Sequence, residues 1–228
     1  MQFAIFDLDH TLLPMDSGDS WTHFIINATG AEREALAAKA VEINEGYRQG
    51  TFDPEDAIRF QMGLLCRFAR AELFALREQF LQEFVWPSVR PEAQALVDDR
   101  RQAGFTPVLA SGTHRFVTAP IAERFGIEYL VAATPQVDSQ GNFTGRVQGS
   151  HSYREGKLRL LEQFLAPAAK AGPLALEGYS DSINDLPMLQ YVAEKGGRAV
   201  AVHPDRALQV QAKARGWEIM TLFAKEDL

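Results

Sequence analysis

Four short apolar segments, separated by stretches with helical periodicity, constrain the fold of this chain more than any other feature. They occupy residues 3–6, 105–110, 174–176 and 199–202. Apolar runs of this length are typical of strands that are buried on both faces of a sheet. Because alternation of strands with helices favours parallel pairing, the sequence predicts an α/β fold with a parallel sheet covered by helices.

Between residues 16 and 86 the pattern changes to helical spacing alone. Apolar residues recur three or four positions apart in two groups, Leu36, Ala40, Ile43 and Tyr47, and Leu73, Leu76, Phe80 and Phe84. Asp53 followed by Pro54 is typical of a helix start, with a capping residue before a proline in the first turn. The segment therefore predicts an all-helical insertion of three or four helices whose aromatic side chains lie mostly in a core.

Turn and capping residues predict three further local structures after this insertion. Residues 91–103 read as a helix that starts at a proline. Thr118 is a candidate cap for a second helix, with Pro120 near its start. The polar residues 138–142 predict a turn between two antiparallel strands that end near Val147.

Two aspartates follow the first apolar run directly. Asp7 and Asp9 stand at the expected carboxyl end of the first strand, where ligands of open α/β sheets bind. Side chains two residues apart in extended chain point the same way, so one carboxylate can attack a substrate while the other transfers a proton. An acidic pair at a strand end can equally be a plain cap or turn. A second acidic cluster at residues 178–185, also after an apolar run, favours chemistry.

Composition limits the kinds of partner that this chain can have. The 228 residues carry a formal net charge of −7, whereas nucleic-acid-binding proteins present a basic patch. A phosphorylated substrate remains compatible with this charge because a bound divalent cation can reverse the local field. The single cysteine, Cys66, excludes an internal disulfide, and its apolar neighbours predict a packed thiol. Without a basic leader or a long apolar segment, we expect a cytoplasmic protein with no membrane partner.

The acidic clusters and two further motifs occur in one characteristic order along the chain. The motifs are Asp7-x-Asp9-x-Thr11, Ser111-Gly112, Lys157, and Asp181 with Asp185. This order resembles the haloacid dehalogenase (HAD) superfamily of aspartate-nucleophile phosphohydrolases, over nearly the whole chain, and most closely its phosphoserine-phosphatase-like branch. The resemblance implies a Rossmann-like, doubly wound parallel sheet formed by residues 1–15 and 87–228. It also implies that residues 16–86 form a helical cap inserted after the first strand.

The resemblance assigns three catalytic roles. Asp7 attacks phosphorus and forms an aspartyl-phosphate, a form of covalent catalysis. Asp9 protonates the leaving alcohol and then deprotonates the water that hydrolyses the intermediate. Lys157, near the start of a predicted helix, bridges the nucleophile and the phosphate, with Arg154 as a competing candidate.

The same resemblance implies a Mg²⁺ cofactor, which prefers oxygen ligands. Its ligands are the Asp7 carboxylate, the Asp9 main-chain carbonyl and the Asp181 carboxylate, while Asp185 orients a water molecule or Lys157. The predicted phosphate-binding residues are Thr11, Ser111, Gly112 and Asn184.

Residues of the helical segment are candidates for reading the substrate. Asp16 lies nine positions after Asp7, where phosphoserine phosphatases carry an acidic residue that binds the substrate's amino group. Arg59 is the candidate for binding a substrate carboxylate. The sequence Ser-Gly-Thr113 departs from the Ser-Gly-Gly of phosphoserine phosphatases, so histidinol phosphate stays open beside phosphoserine.

These residues together imply a Mg²⁺-dependent phosphomonoesterase that acts on a small phosphorylated metabolite. One alternative is a phosphotransferase or mutase that uses the same aspartyl-phosphate. Another is a non-catalytic module that binds a phosphorylated ligand on the same scaffold. Asp9 favours hydrolysis, because family members that keep a long-lived phosphoenzyme lack an acid at that position.

Overall fold

A computed structural model describes residues 1–49 and 51–224 of the chain. Within these residues there are eight strands: β1 Gln2–Phe6, β2 Thr106–Ala110, β3 Tyr129–Val131, β4 Thr134–Val137, β5 Phe143–Gln148, β6 Ala175–Ser180, β7 Arg198–Val202 and β8 Glu218–Met220. Six of them form a parallel sheet in the order β3-β2-β1-β6-β7-β8, and β4 and β5 form a separate antiparallel hairpin. The predicted parallel sheet is confirmed.

Nine α-helices are present in the described part of the chain. They are α1 Ser17–Asn27, α2 Arg33–Gln49, α3 Pro54–Leu65, α4 Arg70–Phe80, α5 Pro91–Gln102, α6 Arg115–Arg124, α7 Glu155–Ala171, α8 Leu186–Glu194 and α9 Arg206–Arg215. Alternate residues of β1 point to opposite faces of the sheet. Phe3 and Ile5 pack with side chains of α7, α8 and α9, while Ala4 and Phe6 pack with side chains of α5 and α6. Because helices cover both faces, the predicted doubly wound Rossmann-like fold is confirmed.

Later strands pair with β1 on both of its sides, and this strand order positions the site. Strand β1 pairs with β2 on one side and with β6 on the other. The strand order therefore reverses at β1, and in open α/β sheets ligands bind at such a switch point, outside the carboxyl ends of the strands. None of the described helices combines the length and the hydrophobicity that a bilayer crossing requires.

Helices α1 to α4 lie within the segment predicted to be an all-helical insertion, and no strand interrupts them in the described residues. Asp53 caps α3 as expected, since its Oδ1 accepts the Glu55 N–H at 2.9 Å, with Pro54 in the first turn. Leu36 and Ala40 are buried as predicted, whereas the Tyr47 side chain lies outside the described residues. The division of the chain into a core and a separate cap domain stays a prediction.

A π-helical turn at Leu81–Val85 changes the buried face at the end of α4. The spacing of Leu73, Phe80 and Phe84 predicts one continuous buried stripe, yet Phe84 is 46% exposed. A π turn adds a residue to the helical repeat and so rotates the residues that follow it. Leu81 and Val85 consequently face the core in place of Phe84.

The predicted start of helix α6 is wrong. The helix begins at Arg115, so Thr118 and Pro120 lie inside it. Proline has no N–H, and within a helix this leaves the carbonyl four residues earlier without its usual donor. That carbonyl belongs to Phe116, and the Arg77 Nη1 of α4 donates a hydrogen bond to it at 3.2 Å. A side chain from a distant part of the sequence thus permits proline within this helix.

The β4–β5 hairpin, predicted from its turn, packs against the helical segment. Its pairing is antiparallel as expected. The Cys66 Sγ at the end of α3 lies 3.1 Å from the Phe143 carbonyl oxygen, and the Arg70 guanidinium lies 6.0 Å from the Phe143 ring centre. Cys66 itself is exposed, so the prediction of a packed thiol is wrong.

Candidate active site

A cavity of about 570 Å³ opens at the carboxyl ends of β1, β2 and β6. This volume is in the range of pockets that bind small molecules. Asp7, Asp9, Lys157 and Asp181 lie on its sheet side, and residues of α1, α2 and α3 form the opposite wall. Segments that are far apart in sequence therefore converge on one open cavity.

A buried lysine lies between two carboxylates at the base of the cavity. The Lys157 Nζ donates to Asp7 Oδ1 at 2.8 Å and to Asp185 Oδ2 at 2.7 Å. Ser180 Oγ also donates to Asp185 Oδ2, at 2.7 Å. Lys157 is only 4% exposed, and burial of such a cation is tolerated when it is paired and hydrogen-bonded. The structure therefore brings together three residues that the sequence predicted to cooperate.

Steric crowding explains why a glycine, Gly156, precedes this lysine. A Cβ atom at Gly156 would lie 2.5 Å from the carbonyl oxygen and Nδ1 of His151. Glycine therefore lets the first turn of α7 approach the preceding loop closely. This approach places Lys157, the next residue, where it can reach Asp7.

Thr11 joins the two acidic motifs instead of facing the cavity. Its Oγ1 is 3.2 Å from Asp7 Oδ2 and 3.3 Å from Asp181 Oδ1, and it accepts the Asp181 N–H at 3.1 Å. The residue is fully buried, and it is not among the described residues that line the cavity. The structure therefore does not support the predicted phosphate contact of Thr11 and places it as a link between two carboxylates.

Asp9 is held by two hydrogen-bond donors. Its Oδ1 accepts the main-chain N–H of Ser17 at 2.7 Å, and its Oδ2 accepts the hydroxyl of Thr113 at 2.8 Å. His10 adopts the left-handed conformation, with φ of 57°, which is uncommon for a residue with a side chain. The chain turns there, between the half-buried Asp9 and the buried Thr11.

Crowding and burial raise the pKa values of the site carboxyls. Loss of solvation is the main cause of the raised pKa of Asp7, Asp9 and Asp181. Lys157 acts in the opposite direction on Asp7 and Asp181, and the neighbouring Asp185 raises the pKa of both. The site thus holds more carboxyl groups close together than Lys157 alone can pair with.

The donor set suits a hard divalent cation. No three His, Cys, Asp or Glu side chains of residues 1–49 and 51–224 form a metal cluster by themselves. The predicted set needs only two carboxylates, those of Asp7 and Asp181, with the main-chain carbonyl of Asp9. All are oxygen donors, which Mg²⁺ prefers, and Mg²⁺ usually keeps several water ligands. These residues, and the carboxyl groups crowded around them, fit Mg²⁺.

The other predicted phosphate-binding residues are placed differently from one another. Gly112 and Asn184 line the cavity, whereas Ser111 is fully buried and not among the lining residues described. The Ser111 N–H donates to the Val131 carbonyl, and its Oγ accepts the Thr113 N–H at 3.1 Å. Direct phosphate binding is therefore compatible with Gly112 and Asn184 but not with the main-chain N–H of Ser111.

The two candidate specificity residues, Asp16 and Arg59, lie in different places relative to the cavity. Asp16 caps α1 by accepting the Asp19 N–H at 2.7 Å, and both carboxylates line the cavity. Arg59 is not among the described lining residues; its side chain is 71% exposed, and its guanidinium lies 3.6 Å from Asp56 Oδ1. The structure brings Asp16 to the site and leaves Arg59 outside it.

Comparison with known proteins decides the family. The model of the haloacid dehalogenase-like hydrolase family matches residues 4–190. The chain belongs to this family. A histidinol-phosphatase of Neisseria meningitidis is 33% identical over 221 residues, which cover 95% of this chain and 97% of that protein. The predictions of a HAD superfamily member and of a HAD-type phosphatase are confirmed.

Two further proteins are similar to nearly all of this chain. A phosphoserine phosphatase of Mycobacterium tuberculosis is 34% identical over 225 residues, which cover 95% of this chain and 69% of that protein. The crystal structure of a protein of unknown function from Bordetella pertussis Tohama I has a TM-score of 0.87 and 36% identity, and covers 97% of this chain and 99% of that one. The fold of nearly the whole chain is therefore shared with this Bordetella pertussis protein.

Some site residues of this HAD hydrolase were not predicted from its sequence. Tyr153 lines the cavity together with Arg154, which the sequence offered only as an alternative to Lys157, and both donate to Asn184 Oδ1 at 2.9 Å. Asp205 supports the loop after β6, since its N–H donates to the Asp181 carbonyl and its Oδ2 accepts the Ile183 N–H. Asp205 also caps α9, so in the sequence it reads only as the start of a helix.

Proposed function

We propose that this chain is a Mg²⁺-dependent phosphomonoesterase that works through an aspartyl-phosphate on Asp7. The observation that carries the proposal is the Asp7–Lys157–Asp185 arrangement at the base of a cavity that Asp9 and Asp181 also line. A carboxylate oriented by a buried cation is a competent nucleophile for phosphorus. The family membership of the chain agrees with this chemistry.

The proposed reaction has two displacements at phosphorus. In the first, an Asp7 oxygen forms a bond to phosphorus while the bond to the leaving alcohol breaks, and Asp9 gives that alcohol a proton. In the second, water attacks phosphorus, Asp9 takes the water's proton, and the Asp7–phosphorus bond breaks. Lys157 neutralises charge near Asp7 in both steps, which is the main requirement in phosphoryl transfer.

Mg²⁺ bound by Asp7, Asp181 and the Asp9 carbonyl would supply further positive charge next to the phosphoryl oxygens. Asp185 would keep Lys157 in place, as its 2.7 Å contact with Nζ indicates. The neutral Gly112 and Asn184 would contact the remaining phosphoryl oxygens from the cavity wall.

Asp181→Asn is expected to weaken Mg²⁺ binding and to stabilise the metal-free protein. Without Mg²⁺ the substitution removes one of several crowded carboxylates, so we expect a gain of about 1 kcal/mol in the free energy of unfolding. Added Mg²⁺ at about 100 times its Kd should stabilise wild type by about 2.7 kcal/mol and the variant much less. Thermal or denaturant unfolding with and without Mg²⁺ measures both effects.

Asp9→Asn is the matched control, because Asp9 would bind Mg²⁺ through a main-chain atom that the substitution keeps. Its Mg²⁺-dependent stabilisation should stay close to that of wild type while its turnover falls. Equal loss of Mg²⁺ stabilisation in both variants would contradict the proposed ligand set.

The cavity favours a substrate that carries an amino group. Asp16 and Asp19 place two carboxylates on the α1 wall, and α3 and the loop before it contribute the apolar Phe52, Ile58 and Phe60. Among the described lining residues from helices α1–α3 there is no lysine or arginine, and Arg154, which lines the cavity from the sheet side, donates its Nε hydrogen to Asn184 Oδ1 at 2.9 Å. Histidinol phosphate, named in the activity of one relative, has an amine and an aromatic ring but no carboxylate. We therefore propose amino-alcohol phosphates of this kind as the substrate class.

A panel of phosphomonoesters with Mg²⁺ tests both the proposed phosphomonoesterase activity and the proposed substrate class. Histidinol phosphate and phosphoethanolamine carry an amine alone, phosphoserine carries an amine and a carboxylate, and 3-phosphoglycerate carries a carboxylate alone. The highest kcat/KM should fall among the first two. If the protein hydrolyses none of these compounds and no chromogenic aryl phosphate, it is not a phosphomonoesterase. A preference for 3-phosphoglycerate would contradict only the substrate class.

Asp16→Asn should lower kcat/KM for amine-bearing phosphates by about 10- to 100-fold, the scale of a lost charge-assisted hydrogen bond. Asparagine also caps helices well, so the stability of α1 should be retained. Turnover of 4-nitrophenyl phosphate, which has no amine, should change little. Arg59→Ala is the control and should leave both substrates within about twofold, because Arg59 does not reach the cavity in the described structure. Equal losses on both substrates in the Asp16 variant would contradict amine recognition.

A further inference from the structure

Thr113 contacts Asp9, the proposed acid–base residue, and none of the roles described above involves Thr113. Its hydroxyl donates to Asp9 Oδ2 at 2.8 Å, and the residue is 6% exposed. It comes directly after Gly112 at the end of β2, whereas Asp9 follows β1. The contact therefore joins the ends of two neighbouring strands.

Neighbouring residues fix the position of the Thr113 side chain. Its main-chain N–H donates to Ser111 Oγ at 3.1 Å, which holds the turn after β2. A Cβ atom at Gly18 would lie 2.5 Å from Thr113 Oγ1. The absence of a side chain at Gly18 thus leaves room for the hydroxyl beneath the first turn of α1.

The two partners of Asp9 differ in chemistry. The Ser17 N–H at Oδ1 can only donate. The Thr113 hydroxyl at Oδ2 can donate to a carboxylate and can also accept from a carboxylic acid. It can therefore keep Asp9 in one orientation both before and after Asp9 transfers a proton.

We propose that Thr113 is a positioning residue that aligns Asp9 for proton transfer to the leaving alcohol. The proposal rests on the proposed phosphomonoesterase function. It predicts a specific kinetic defect when the hydroxyl is removed. The chemical step should slow, while substrate binding and Mg²⁺ binding, which use other groups, should change little.

Thr113→Val removes the hydroxyl and keeps the shape of the side chain. For alkyl phosphates we expect kcat and kcat/KM to fall by about 10- to 100-fold, as is typical for groups that orient a functional residue. KM and the Mg²⁺ concentration for half-maximal activity should stay within about twofold. Thr113→Ser keeps the hydroxyl and should retain most of the activity.

The leaving group separates positioning of Asp9 from a general structural defect. The kcat/KM value covers the steps through loss of the leaving group, and 4-nitrophenolate leaves without a proton. Thr113→Val should therefore lower kcat/KM far less for 4-nitrophenyl phosphate than for an alkyl phosphate. A distorted site would lower both equally.

Thr118→Val is the matched control. It makes the same change at a fully buried threonine of α6, whose hydroxyl donates to the His114 carbonyl of its own helix at 3.3 Å. Its activity should match wild type, and its thermal stability shows the cost of such a change. Gly18→Ala displaces the Thr113 hydroxyl without removing it and should reproduce the alkyl-selective loss. If Thr113→Val does not fold, Thr113→Ala compared with Thr113→Ser gives the same test.

The outcomes are distinct from those that test the function itself. Wild type that hydrolyses no phosphomonoester overturns the proposed function. Active wild type with an equally active Thr113→Val, or with equal losses on alkyl and aryl phosphates, overturns the role of Thr113. An alkyl-selective loss that serine restores supports it.

Discussion

Asp7→Asn should reduce turnover by at least about three orders of magnitude, the scale seen when a nucleophile is removed. The amide has the shape of the carboxylate but cannot form the aspartyl-phosphate. Lys157 would keep its contact with Asp185, so the fold should survive. Steady-state assays and a search for covalent phosphate by mass spectrometry measure the effect.

Asp138→Asn, at the exposed turn of the β4–β5 hairpin, is a control for the same change away from the cavity and should keep wild-type turnover. Mass spectrometry must also exclude deamidation of the introduced asparagine, which would restore the carboxylate. Substantial turnover by intact Asp7→Asn would remove Asp7 from the proposed mechanism.

Lys157→Met should destabilise the protein by about 3–5 kcal/mol and abolish turnover. The side chain is almost fully buried between Asp7 and Asp185, and its loss leaves buried carboxylates without their cation. Denaturant unfolding measures the loss. Lys170→Met, at an exposed position of the same helix, should change stability by no more than about 0.5 kcal/mol.

The pH dependence of the stability loss in Lys157→Met tests more sharply whether unpaired carboxylates cause it. The pKa of Asp7 lies above its ordinary value of 3.8, and loss of Lys157 would raise it further, because Lys157 lowers it. A carboxyl whose pKa is higher in the folded than in the unfolded state stabilises the fold while protonated. The deficit relative to wild type should therefore be small below about pH 6, the pKa of Asp7 in the wild-type fold, and grow as the pH rises from there through the higher pKa of Asp7 in the variant. A deficit independent of pH would indicate lost packing instead of uncompensated charge.

Asp185→Asn combined with Lys157→Met should recover part of the stability, because it removes one of the two unpaired carboxylates. Additive losses in this double-mutant cycle would contradict a direct interaction.

The central strands were predictable and the edge strands were not. Strands β1, β2 and β7 are largely buried, so their sequences are mostly apolar, and β6 begins in a third apolar segment before Glu177. Strands β3 and β8 have three residues each and include the exposed Tyr129 and Ile219. Such short, half-exposed segments carry too little periodicity to be distinguished from loops.

The acidic residues and Lys157 were predictable because their spacing is local or belongs to a motif. Contacts set by the tertiary fold were not. Arg77 reaches the Phe116 carbonyl, and Thr113 reaches Asp9, although each pair is far apart in the sequence. Arg59 illustrates the opposite error: a helix position that looks suitable in sequence points to solvent once the helix is packed.

The contacts of the β4–β5 hairpin with α3 and α4 change how access to the site should be pictured. Residues 13–18 and 86–90 connect the helices to the sheet, and the helices are also held at Cys66 and Arg70 by a hairpin that belongs to the sheet-bearing part of the chain. Rotation about the two linkers alone would break those contacts. A widening of the cavity mouth would thus carry the hairpin with the helices, and the length and sequence of that hairpin become determinants of how fast substrate enters and product leaves.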